Sequence, residues 1–186
     1  MRLQEGNSRF LTGGHNERNW PADIQATASG QSPYAVILSC MDSRAPVETV
    51  FDQGLGDIFT IRIAGNVLNA DVLGSMEFGC KLAGARAVLV MGHTSCGAVK
   101  GCLSGTRLGS LTGLVKKIEP AAKLAASDLD PEDPGFGDLV AEINVRVVLE
   151  QIGSRSPTLR EMHQAGEVGL YGAMYDIATG RVRFLD

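Results

Sequence analysis

A chain of 186 residues that is 44% hydrophobic and 20% charged has the balance of an ordinary globular domain, long enough to bury roughly 70% of its unfolded surface around one core. Its net charge of -4 argues against a nucleic-acid partner, which would need a basic face to neutralise phosphates. No apolar run approaches the roughly 20 residues of a membrane span, so no membrane partner is expected either.

Residues 1–14 carry no signal-type apolar stretch, and a cytoplasmic location is the expectation. The first strand is expected at residues 34–39, a short apolar run without alternation, as in strands covered on both faces. A second follows at 58–63, ending at Ala64-Gly65-Asn66, and a helix is expected over 70–82. Residues 87–92 (Ala-Val-Leu-Val-Met-Gly) form another continuous apolar strand. Leu111, Leu114, Val115, Ile118, Ala122 and Ala125 then fall on one face of a helix that Pro120 bends. After a loop at 127–137, the segment 137–152 is apolar on more than one face, which buries it in the domain or in a subunit contact, the dimer interface being the sharper reading. A strand at 168–175 and a tail at 181–185, paired back through Ala178-Thr179-Gly180, close the chain as an edge hairpin. With no repeat and no second domain in view, residues 1–186 read as one α/β domain with a mainly parallel central sheet flanked by helices.

Two motifs stand directly after strands. Cys40-Met41-Asp42-Ser43-Arg44 follows the first, and His93-Thr94-Ser95-Cys96-Gly97 follows the strand at 87–92. Both therefore sit at the carboxyl edge of a parallel sheet, where ligand crevices are built. Two sulfurs and one imidazole suit Zn²⁺, and a catalytic zinc keeps three protein ligands and one open position. Asp42 can accept a hydrogen from water on the metal or fill the open position itself. The spacing to Arg44 lets a two-pronged pair hold the carboxylate away. Of the four cysteines, Cys80 and Cys102 read as packing residues, as do His15 and His163 at the surface or in packing roles. No paired disulfide framework is visible.

With these motifs, and with Gly56-Asp57-Ile58-Phe59 and Arg62-Ile63-Ala64-Gly65-Asn66 between them, the chain resembles the β-class carbonic anhydrases from Leu3-Gln4-Glu5-Gly6-Asn7 onward. The resemblance implies that Cys40, His93 and Cys96 bind Zn²⁺, that Asp42 and Arg44 form the catalytic dyad, and that the enzyme interconverts CO₂ and bicarbonate by a zinc-hydroxide mechanism. Gln31 would bind substrate, with the Gly97 backbone N–H beside it on the developing bicarbonate oxygen. Phe59, Ala64 and Phe78 would form the apolar wall, Phe78 standing where the plant-like branch has tyrosine. Another branch builds a regulatory bicarbonate site on a tryptophan that is Ile37 here, so Asp42 is expected to stay with Arg44. A homodimer or tetramer, with residues of both subunits at the site, is also implied. Two thiolates cancel the charge of Zn²⁺, so activity is expected to rise on the alkaline side of neutral. Alternative readings are a carbonyl sulfide or carbon disulfide hydrolase on the same fold, and a non-catalytic zinc module with Cys80 or Cys102 as fourth ligand. A thiol oxidoreductase is weaker, since there is no Cys-x-x-Cys pair.

Overall fold

Five strands form one sheet in the computed structural model, which describes residues 2–185. They are Ala35–Ser39 (β1), Ile58–Arg62 (β2), Ala87–His93 (β3), Gly169–Tyr175 (β4) and Val182–Leu185 (β5), in the order β2-β1-β3-β4-β5. β1 pairs in parallel with β2 and β3, β3 in parallel with β4, and only β5 runs antiparallel, against β4. The expected α/β architecture, mostly parallel with a C-terminal edge hairpin, is the one found.

Both faces of the central strands are covered, which is why their sequences do not alternate. Successive side chains point to opposite faces. Val36, Leu38, Val88 and Val90 therefore enter one core layer, and Ile37, Leu89 and Met91 the other. Each such fully buried side chain contributes about 1.5–3 kcal/mol. Nine helices accompany the sheet among the described residues: Arg2–Thr12 (α1), Trp20–Thr27 (α2), Val47–Val50 (α3), Ala70–Glu77 (α4), Gly97–Leu103 (α5), Gly109–Val115 (α6), Glu119–Ala125 (α7), Phe136–Arg155 (α8) and Pro157–Gln164 (α9). The first layer is closed by α4, α5, α7, α8 and α9, the second by α3 and the partly buried Leu3 and Phe10 of α1.

Three helical expectations change in detail. The bent helix over 111–125 is α6, a 3₁₀ turn at Lys116–Ile118 and then α7. Pro120 sits in the first turn of α7, where its missing N–H costs nothing, so the chain restarts a helix there instead of bending one. The helix over 70–82 stops at Glu77 and continues as a π turn over Phe78–Leu82. The segment expected at a dimer interface is α8, and its apolar face is spent inside the chain: Phe136, Val140, Ala141, Val145, Val148 and Ile152 are all buried. It packs on β3, β4 and α7. The approach is so close at Gly92 that a Cβ there would lie 2.8 Å from both Met174 Sδ and Val145 Cγ2. The subunit-contact reading of this helix is therefore replaced by an internal one.

The N-terminal arm is held by polar ties. Asn7 Nδ2 donates to Val50 O (3.2 Å) and Gly180 O (2.9 Å), while its Oδ1 accepts from Val182 N (2.9 Å). α2 is capped by Asn19, whose Oδ1 accepts from Ala22 N at 3.2 Å. It buries none of its residues, leaving Trp20 51% and Ile24 58% exposed.

Candidate metal centre

β1 ends at Ser39, so Cys40 is the first residue past the carboxyl edge of the sheet, and His93 is the last residue of its neighbour β3. Cys96 precedes the first turn of α5. All three are buried, and their donor atoms lie within 4.8 Å of one another. Cys80 and Cys102 are outside this group. Burial pushes the Cys80 thiol up to about 11, the behaviour of an inert core cysteine.

The histidine is oriented for ligation. Its Nδ1 lies 2.9 Å from Thr94 O. A carbonyl only accepts, so Nδ1 carries the proton and Nε2 keeps its lone pair. That Nε2 is buried without a hydrogen-bond partner of normal geometry among the described residues. A buried orphan acceptor facing two sulfurs is the arrangement a metal ion would satisfy. The loop that carries it is pinned at several points. Thr94 N donates to Tyr175 O (3.0 Å), Thr94 Oγ1 accepts from Ile177 N (3.1 Å), and Ser95, at φ 54°, donates its N–H to Asp138 Oδ1 at 2.7 Å.

The two thiols share one charge. Hydrogen bonding from the Cys96 thiol, with help from the Gly65 backbone N–H, outweighs burial and holds Cys40 far below an ordinary cysteine, while Cys96 is driven up by its thiolate neighbour. Beside them, Arg44 grips Asp42 twice, Nε on Oδ1 at 3.0 Å and Nη2 on Oδ2 at 2.8 Å, and the Arg44 backbone N–H adds a third contact to Oδ1 at 2.9 Å. These bonds from Arg44 hold the Asp42 carboxyl well below the usual carboxylate range. Asp42 Oδ2 stands 3.9 Å from His93 Nε2. Arg62, on the neighbouring β2, donates to Cys40 O (3.1 Å) and Asp42 O (2.5 Å) and so fixes the backbone between ligand and carboxylate.

The model of the carbonic anhydrase family matches residues 35–182. Carbonic anhydrase 2 of Mycobacterium tuberculosis is 36% identical over 193 residues, an alignment covering 99% of this chain and 90% of that one. The carbonic anhydrase of Mycolicibacterium smegmatis is 35% identical, covering 97% and 88%. Among solved structures, the β-carbonic anhydrase CafA of Aspergillus fumigatus aligns with a TM-score of 0.81 at 28% identity, covering 90% of this chain and 82% of that one. A structure described as one of two tetrameric β-carbonic anhydrases from Sordaria macrospora aligns with a TM-score of 0.82 at 26% identity, covering 89% and 86%. The chain belongs to the β-carbonic anhydrase family.

It is accordingly an enzyme, a carbonic anhydrase, with a Cys-His-Cys site of metal-binding type at the edge of its sheet. No described helix is long and apolar enough to cross a membrane. Of the residues expected at the site, this carbonic anhydrase gathers Cys40, Asp42, Arg44, His93, Cys96 and the adjoining, exposed Gly97 within one chain. Ala64 lies just past the end of β2, in the turn whose Gly65 N–H donates to Cys40 Sγ at 3.3 Å. Gln31 is exposed ahead of β1, at the end of the strand opposite Cys40, a separation of roughly 16 Å along the strand alone. Phe59 and Phe78 stack edge to face at 6.2 Å and line a cleft of about 630 Å³ with Ile61, Ala70 and Gly74. None of the three metal-type donors lines that cleft.

Three residues that shape the centre escape the motif reading: Arg62, Asp138 and Asn144. Arg62 lies in a run that carries the resemblance but offers no chemistry of its own until its contacts are seen. Asp138 is one acid among many. Asn144 leaves a trace, an amide where the apolar face of α8 would take a leucine.

Proposed function

We propose that this carbonic anhydrase holds zinc on Cys40 Sγ, His93 Nε2 and Cys96 Sγ and interconverts CO₂ and bicarbonate, with Asp42 and Arg44 managing the attacking water. The observation that carries the reading is the convergence of three buried donor atoms within 4.8 Å, beside a carboxylate that its own arginine holds back. Two thiolates and an imidazole are a donor set suited to zinc. Zinc, when bound, supplies Lewis acidity that brings the ionisation of a water toward neutral pH.

The chain's own groups do the rest. Asp42 Oδ2 is placed to accept the hydrogen of the attacking oxygen and turn its lone pair toward the CO₂ carbon. Arg44 engages both carboxylate oxygens, which keeps Asp42 ionised and away from the sulfurs. As the new C–O bond forms, negative charge grows on a CO₂ oxygen, where the Gly97 N–H and the Gln31 amide would stabilise it. Ile37 is buried in the second core layer, so no aromatic side chain stands at that position to support a bicarbonate-closed form.

Gln31, Phe59 and Phe78 reach the centre only if a second copy brings them. β2 is an open edge of the sheet, pairing with β1 alone, and Phe78 and Leu82 are exposed next to it. Open edges and exposed apolar residues call for cover. The working unit in this reading is a homodimer or a tetramer of such dimers, with each metal centre completed by its neighbour.

Stopped-flow CO₂ hydration on zinc-loaded protein from pH 6.5 to 9, with Cys40→Ser as control, tests the activity. A zinc-dependent rate that climbs with pH is expected. A flat profile contradicts the mechanism, and no rate with zinc still bound contradicts the activity.

A further inference from the structure

Asn144 is the one polar side chain among the buried residues of α8, and it is 1% exposed. Its neighbours one turn away, Val140 and Val148, are core residues. An apolar side chain would suit this face better, since a buried amide is unfavourable unless its groups are bonded. Here only half of it is: Nδ2 donates to Gly65 O at 3.0 Å, and Oδ1 has no partner among the described residues. Packing does not account for such a residue. Its one polar contact does.

Gly65 stands between Asn144 and the metal centre. Its carbonyl receives Asn144, and its own N–H donates to Cys40 Sγ at 3.3 Å. The turn is left-handed at two consecutive residues, Gly65 (φ 65°) and Asn66 (φ 43°). A side chain cannot hold this turn in place, because a Cβ on Gly65 would fall 2.8 Å from Ile118 Cδ1 and 3.0 Å from Ala98 Cβ. Glycine is also the residue with the fewest intrinsic restrictions. The direction of the Gly65 N–H therefore depends on what anchors the peptide that follows it: its N–H, on Asn66, donates to Ile63 O at 2.9 Å within the turn, and Asn144 holds its carbonyl from outside the turn.

We propose that Asn144 is a positioning residue for the metal centre: by holding the Gly65 carbonyl it aims the Gly65 N–H at Cys40 Sγ and so limits the charge this thiolate donates to the ion. The inference rests on the zinc reading above. A hydrogen bond to sulfur withdraws electron density from it, leaving the ion a stronger Lewis acid, and partners of this kind orient and tune metal ligands. With two thiolates cancelling the formal charge of Zn²⁺, that restraint on one of them matters for a water that must ionise near neutral pH.

The test compares wild type, Asn144→Leu, Asn144→Ala and Val148→Ala. Val148 lies on the same buried face of α8, so its variant disturbs packing alone. With cobalt(II) in place of zinc, both Asn144 variants are expected to shift the near-ultraviolet thiolate-to-metal band to longer wavelength, while Val148→Ala leaves it in place. In the zinc forms, kcat/KM at pH 7 falls about tenfold for the Asn144 variants and returns toward wild type at high pH, the signature of a less acidic water. A uniform loss at every pH, an unshifted band, an equal shift in Val148→Ala, or failure of both Asn144 variants to fold would each overturn the inference. A wild-type protein with no thiolate-to-cobalt band would instead overturn the metal reading on which it rests.

Discussion

Replacing Asp52 by asparagine isolates the charge that ties the N-terminal arm to the turn after α3. The Asp52 side chain is only 4% exposed, and it receives Arg9 Nε at 2.5 Å, Arg18 Nη2 at 2.9 Å and the Asn16 backbone N–H at 3.2 Å. Its backbone is left-handed, φ 48°, a conformation asparagine tolerates better than most residues. The swap therefore keeps shape and backbone and removes charge. Burial pushes the Asp52 carboxyl up, but the bonds and charges of Arg9, Asn16 and Arg18 outweigh it, and the net direction is down. Hydrogen bonds to a charged group contribute about 1.5–3 kcal/mol each when well buried. Arg9 and Arg18 are 30% and 20% exposed, so screening trims that figure, and asparagine retains one acceptor. A net loss of about 2 kcal/mol at pH 7 follows, or about 4–8 °C in Tm for a chain of this size. A depressed carboxyl stabilises the fold above its unfolded pKa of about 3.9, and the stabilisation disappears as pH falls through the folded value. Urea unfolding of both proteins at matched concentration and zinc content should show the full gap at pH 7 and a closing gap below about pH 4. A gap under about 0.5 kcal/mol at pH 7, or one that persists unchanged in acid, would refute the account.

Arg44→Ala should release Asp42 and lower kcat/KM about 100-fold with zinc content unchanged by metal analysis, and Arg44→Lys should restore little, because an ammonium cannot make the two-pronged grip. Rates within threefold of wild type would remove Arg44 from the mechanism. Because Cys96 is held protonated by its thiolate neighbour, zinc uptake by the metal-free protein should release protons and tighten as pH rises. An indicator dye in weak buffer measures this, and proton-free uptake would contradict the shared-charge picture. Trp20→Ser with Ile24→Ser removes exposed apolar surface that no core within the chain uses, so sedimentation should show weaker self-association at an unchanged Tm for the separated chain. Unaltered sedimentation would place the contact elsewhere.

The sheet was legible because β1 and β3 are short apolar runs covered on both sides and β4 is buried over its second half, so each run shows its place in the chain to within a residue. The donors were legible for a related reason: each stands at or just past the end of a strand, so one-dimensional position already implied a shared edge. What failed to show was whatever depends on a distant partner. α1 is held by Asn7 through bonds to residues 43 and 173 positions away, and a lone asparagine carries no mark of that. α2 has no buried side to give it a period. For the helix over 137–152 burial in the domain and in a subunit contact both stay open, because an all-round apolar pattern cannot say which body covers it; the answer lay in Gly92, whose missing side chain lets α8 sit on β3. Asn144 was invisible as chemistry because its partner, Gly65, is 79 residues distant.

Along the sheet the candidate residues divide into two groups with different physical support. Cys40, Asp42, Arg44, His93 and Cys96 occupy the carboxyl edge, held by Arg62, Asp138 and the Gly65 turn, all within one chain. Gln31, Phe59 and Phe78 sit toward the opposite edge or on the open β2 flank, where a single chain leaves them exposed or half-exposed. The metal end thus has its geometry set by contacts within one chain, whereas the substrate end, in the proposed reading, depends on association. Affinity for the ion should then be a property of the chain and turnover a property of the assembly. In the proposed reading that division accounts for the hydrogen bonds packed around the motif residues and for the apolar positions left open at the surface: the first would be rigid before any partner arrives, and the second would serve once one has.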